Sequence, residues 1–107
     1  MLFTLDPQIL RPNISSNRIE IVENLDVDDV REIFIEREVF SSSMFDEIEK
    51  KYSGSEDQMY IVLIEIINSG PRAMRTLLDV LYINQLDSLA ASLLRGTPNE
   101  LQEIGTK

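Results

Sequence analysis

The chain has 107 residues, no cysteine, no histidine and a formal net charge of −9. That length holds one domain with a modest core, and the missing cysteine and histidine exclude disulfides, thiolate metal sites and Ser-His or Cys-His catalytic units. The negative charge argues against a polyanionic partner such as DNA, RNA or an acidic membrane.

The acidity is uneven: residues 1–58 hold 14 acids against 6 bases, a net −8, and residues 59–107 hold 5 against 4, a net −1. The longest apolar run is too short to span a bilayer, and Glu65 interrupts it. The segment from Met1 to Asp6 lacks the basic region and long apolar core of a signal peptide. A cytoplasmic protein is therefore expected, and the glycosylation sequon at Asn13 reads as accidental.

Residues 1–5 read as an N-terminal extension, and the helical domain is expected over 6–96. Asp6 followed by Pro7 is an N-cap with proline at the first helical position. Pro12 predicts an interruption, so the first helix is expected in two pieces, kinked between Pro12 and Asn17. Asn17 with Glu20 is a candidate capping pair for the second piece.

Asp26 predicts the next helix start, with Asp28 and Asp29 at the positive end of its dipole and Leu25 placed to staple onto Val30. Val30, Ile33 and Phe34 supply its apolar stripe, and Val39-Phe40 closes the segment. Ser41-Ser42-Ser43 offers caps for a third helix, with Ser43 and Asp46 as a candidate pair. Met44, Phe45 and Ile48 form its inner side. Asp46, Glu47, Glu49, Lys50 and Lys51 form its wet side.

Ser53-Gly54-Ser55 reads as a loop, and a buried helix is expected from Ser55 or Glu56. Tyr60 to Ile67 is apolar apart from Glu65 and rich in β-branched residues, so periodicity alone leaves a buried strand open. No period-2 partner strand or hairpin turn accompanies it, which favours a helix. Gly70 suits a helix end and Pro71 a helix start. Met74, Leu77, Leu78, Leu81 and Tyr82 then mark one face of a fifth helix. Leu86, Leu89, Ala90, Leu93 and Leu94 mark a sixth, stopped by Gly96 and Pro98. Residues 97–107 read as a flexible tail or the start of a linker.

The expected fold is all-α: a compact six-helix antiparallel bundle with a kinked first helix. Short helices of this kind are marginal alone, so their stripes must meet, with Tyr60–Ile67 inside.

The ordered set of local motifs resembles the caspase recruitment domain (CARD), a member of the six-helix death-fold superfamily. The residues carrying it are Asn17 to Asp29, Glu38-Val39-Phe40, Ser53-Gly54-Ser55, Gly70-Pro71-Arg72-Ala73-Met74 with Leu77-Leu78, and Leu89 to Leu94. Within the family, Arg37 to Phe40 and Ser53 to Ser55 with Asp57-Gln58 look most like the initiator-caspase prodomains recruited to the apoptosome, the caspase nine type. The resemblance implies homotypic binding to another CARD, of the apoptosome-scaffold or initiator-caspase type, in apoptotic or inflammatory caspase activation. It also implies docking of an acidic face on a basic one, in a chain that is monomeric alone and open to higher-order assembly.

Two sets of residues follow as docking candidates. Asp28, Asp29, Glu32, Glu36, Asp46 and Glu49, with Glu47 beside them, would be an acidic face on the second and third helices; an ordinary solvated face is the plainer reading. Arg18, Arg72 and Arg75 are the basic counterparts, with Arg18 matching a basic position of the caspase face. Glu56 and Tyr60 stand where that face would carry arginines. No catalytic residue, cofactor or metal is expected. An EF-hand at Asp26–Asp29 fails because Arg31 and Arg37 hold the positions that need glycine and glutamate. Two alternatives stay open: a stand-alone decoy or designed scaffold without a partner, and an acyl carrier modified on Ser88.

Overall fold

The computed structural model describes residues 6–95, which form seven α-helices: α1 (Pro7–Ser16), α2 (Arg18–Asn24), α3 (Val27–Glu36), α4 (Ser42–Lys51), α5 (Ser55–Ser69), α6 (Pro71–Ile83) and α7 (Asp87–Leu93). The expected extension over 1–5, the stop at Gly96 and Pro98, and the tail over 97–107 lie outside the described residues.

The count is seven rather than six because the expected two-piece first helix is two helices, α1 and α2. Pro12 is not where it breaks. Pro12 and Gln8 both lie on the exposed side of α1, so the backbone bond that proline deletes faces solvent and the helix runs on. The break comes at Asn17, whose N–H closes α1 on Asn13 O and Ile14 O. Asn17 and Glu20 do not cap each other: the Asn17 amide instead donates back to Asn13 O at 2.8 Å, satisfying a carbonyl at the end of α1.

Other local signals took the form the residues dictate. Asp6 Oδ1 accepts from Gln8 N at 2.9 Å with Pro7 in the first turn. Asp26 and Asp29 form a reciprocal capping box, Asp26 N donating to Asp29 Oδ2 at 2.9 Å. For α4 the cap is Ser41, whose Oγ accepts from Met44 N, and not a Ser43–Asp46 pair. Asp46 is turned away to an arginine on α3.

Two helices close through a left-handed residue that is not glycine. Glu38, at φ 58°, closes α3 with Val39 N on Phe34 O and Glu38 N on Ile35 O. Gln85, at φ 61°, closes α6 with Leu86 N on Leu81 O and Gln85 N on Tyr82 O. Both are Schellman closures built on residues that pay for the left-handed conformation with their Cβ.

The core is made of the stripes that the spacing marks. Leu10, Ile14, Ile21, Val30, Phe34, Phe45, Leu77, Leu81 and Leu93 are all buried. Each fully buried side chain of this size contributes about 1.5–3 kcal/mol of transfer free energy. Helix α5 sits at the centre, packed on α1, α2, α3, α4 and α6. Its buried line is Met59, Val62, Leu63 and Ile66, which is one-sided and not all round. Tyr60 is 43% exposed, a correction to its expected place inside. A tyrosine at the edge of a buried stripe keeps its hydroxyl in water at little cost. Tyr82 is likewise 46% exposed, because Ala73, Thr76 and Val80 complete the inner face of α6 on the other side.

Candidate docking faces

Helices α3 and α4 carry the acidic residues, and the packing sorts them into different jobs. Asp28, Glu32 and Glu36 follow at i, i+4 and i+8, one stripe along α3, and all three are exposed. No hydrogen bond or ion pair reaches their carboxylates among the described residues. Asp29 is half-buried and committed to the capping box. On α4, Asp46, Glu47 and Glu49 are exposed.

Arg31 joins the two helices, a role that no local spacing marks. Its Nη2 lies 2.7 Å from Asp46 Oδ1 and its Nη1 lies 3.1 Å from Glu49 Oε2. The guanidinium also sits 5.5 Å above the Phe45 ring. The Asp46 hydrogen bond raises its pKa above the ordinary value; partial desolvation opposes this and the charge of Glu49 adds to it. Asp46 and Glu49 are thus half-neutralised, whereas Asp28, Glu32, Glu36 and Glu47 keep their full field. The clamp fixes the two acidic edges side by side.

The basic candidates do not form one face. Arg72 and Arg75 stand on α6, and the fold brings to them a residue that spacing did not mark, Arg37 at the end of α3. Arg72 Nη2 donates to Arg37 O. Arg37 Nη1 lies 2.6 Å from Asp79 Oδ2, and Arg75 Nε lies 3.7 Å from Asp79 Oδ1. Two guanidiniums share the Asp79 carboxylate and a third, that of Arg72, binds the backbone of one of them, a net positive cluster. Arg18 stands apart on α2, which packs on α5 and α1; it is exposed, and its Nη1 donates to Ser15 O at 3.0 Å. Glu56 and Tyr60, the departures from the basic pattern, are exposed on α5.

The remaining candidates resolve simply. The Asn13 amide nitrogen donates to Leu93 O and Arg95 O, both at 2.8 Å, and so ties α1 to the end of α7. Ser88 is exposed in the first turn of α7. Among the described residues no group of three or more carboxylates is placed to hold a metal, and no helix is long and apolar enough to cross a membrane.

Seven helices built on a central α5 among the described residues, with charge of each sign collected on separate outer faces, make an all-helical module suited to protein–protein docking. The family follows from the chain as a whole. The model of the caspase recruitment domain (CARD) matches residues 11–95, and the chain belongs to that family. Its members are homotypic interaction modules of caspase activation and signalling, not catalysts. No curated protein and no solved structure matches the chain.

Proposed function

We propose that this domain recruits another CARD whose docking face is basic, using the acidic edge of α3 and α4. The observation that carries the reading is the exposed, unpaired stripe Asp28–Glu32–Glu36, held beside the acids of α4 by Arg31. Fixed charges of one sign steer encounter with an opposite surface and raise the association rate. Recruitment then concentrates whatever is attached to the partner, and proximity drives activation without new chemistry in this domain. The domain is a non-enzyme in this reading, and its setting is the cytoplasm.

A caspase-nine-like use of the opposite side is less well supported. That side would present Arg18 with residues of α5, and there Glu56 and Tyr60 replace positive charge. The apoptosome initiator-caspase prodomain serves as the basic probe. Its association rate with this domain is expected to fall steeply from low to physiological salt, and to collapse for the double variant Glu32→Lys with Asp46→Lys. A salt-independent rate, or an unchanged double variant, would sink the acidic-face reading. A decoy would bind and then suppress procaspase activation.

A further inference from the structure

We infer that the outward face of α6 is a self-complementary contact through which two copies of this domain pair about a two-fold axis. This face is separate from the acidic stripe of α3, and the inference does not rest on recruitment of a basic partner.

The outward positions of α6 are not scattered. Exposed Arg72, Arg75, Tyr82 and Ile83, with half-buried Asp79 among them, recur at i, i+3, i+10, i+11 and i+7, a single helical line. Its first half is cationic, because Arg37 and Arg75 share Asp79 and Arg72 donates to the backbone of Arg37. Its last turn is apolar: Tyr82 is 46% and Ile83 is 60% exposed. One exposed apolar residue is ordinary. Two adjacent large ones at the end of a charged stripe leave a patch that burial would stabilise.

Tyr82 also lines a groove of about 540 Å³ between α2 and the α6–α7 turn, together with Leu86 and Leu89. Glu20 and Asp87 stand on the same groove, and no ion pair reaches either carboxylate among the described residues. Read from its N-terminus, the face therefore runs positive, then apolar, then negative. The helix dipole runs the same way.

A partner must present the reverse order, negative then apolar then positive. An antiparallel second copy does so. With the axis crossing the last turn of α6, the apolar turns of the two copies meet at the axis, and Arg72 and Arg75 of one copy lie towards the groove of the other, where Glu20 and Asp87 stand. Such a contact is isologous, so it closes at two copies and does not propagate. One helix face of about 17 Å places it among small, weak interfaces.

The net charge of −9 on each copy opposes approach at long range. At physiological ionic strength the Debye length of about 8 Å screens that repulsion far more than it screens contacts at hydrogen-bond distance. Sedimentation equilibrium in that salt tests the pairing. The average mass is expected to climb with concentration from 12.3 kDa towards twice that value. The Arg75→Glu chain and the Glu20→Arg chain should each stay monomeric, since each sets like charges against each other. Their equimolar mixture should regain the dimer, because both contacts in the mixed pair again join opposite charges. Ile83→Ser, at an exposed position, should weaken association with the melting temperature unchanged. A mass fixed at one chain throughout would overturn the inference, as would a monomeric mixture. So would loss of the dimer in Glu32→Lys, which would place self-association on the acidic stripe, whereas failure of Glu32→Lys to bind the basic probe bears only on recruitment.

Discussion

The guanidinium of Arg31 lies 2.7 Å from the carboxylate of Asp46, across the gap between α3 and α4. The arginine is itself only partly open to solvent, lies against Phe45 and reaches Glu49 with its other nitrogen. A surface ion pair alone contributes little, but a forked arginine with two carboxylates and a ring beneath it is geometrically constrained. Arg31→Gln is expected to lower the melting temperature by a few degrees. That deficit should narrow as salt is raised, because the lost interaction is the part salt screens. After Arg31→Gln, adding Asp46→Asn should cost nothing further. A variant that melts like the parent at low salt would show that the clamp does not hold the helices.

Asp29 and Glu32 stand on the same helix one turn apart, yet the structure gives them different work. Asp29 accepts the Asp26 N–H, so Asp29→Ala should cost about 0.5–2 kcal/mol of stability and leave docking to a basic probe unchanged. Glu32 is exposed and unpaired, so Glu32→Lys should leave the melting temperature nearly unchanged and slow association by about tenfold. Thermal melts and stopped-flow association, run on both variants, separate the two roles. Reversal of the pattern would remove the acidic stripe as a docking surface.

The helices were legible because the signals that start and stop them are local. Asp6-Pro7, Asp26 with its following acids, and Gly70-Pro71 each act within one turn, and the stripes Val30–Phe34 and Met74–Leu81 follow from helical period alone. What failed was local chemistry overridden by position. Pro12 is tolerated because it faces outward, and Tyr60 and Tyr82 sit at stripe edges where hydropathy cannot tell inside from outside. The charged faces were legible in composition but not in arrangement. Arg31 meets Asp46 and Glu49 from 15 and 18 residues away, and Arg37 meets Asp79 from 42, so only the packing of α3 on α4 and α6 reveals either cluster.

Glu38 and Gln85 hold left-handed backbone at the ends of α3 and α6, at φ 58° and 61°. A residue with a Cβ loses roughly 1–2 kcal/mol there, and glycine does not. Glycine also enlarges the unfolded ensemble, which returns part of that gain. Glu38→Gly and Gln85→Gly should each raise stability by about 0.5–1 kcal/mol, or roughly 2–6 °C in melting temperature. The two sites close different helices and their effects should add. A fall in melting temperature for either would mean that its side chain, not its backbone, holds the turn.

Gly70 makes the corner between the central helix α5 and α6, at φ 108° and ψ −171°. That region is essentially closed to residues with a side chain, at a cost of about 1–3 kcal/mol. Nothing lies within 4 Å of where its Cβ would stand, so the cost of Gly70→Ala is conformational and not steric. Repacking of neighbours therefore has nothing to relieve, and a second-site core substitution should not rescue it. Gly54 provides the control. It precedes α5 at φ −92°, a conformation any residue adopts, and its nearest neighbour is the Asp57 carboxylate at 3.6 Å. Gly54→Ala should be neutral or stabilise by up to about 1 kcal/mol, since alanine narrows the unfolded ensemble. Denaturant titration of both variants measures the contrast. Equal stability at the two sites would mean that the corner between α5 and α6 can take another path, with Pro71 alone setting where the second helix begins.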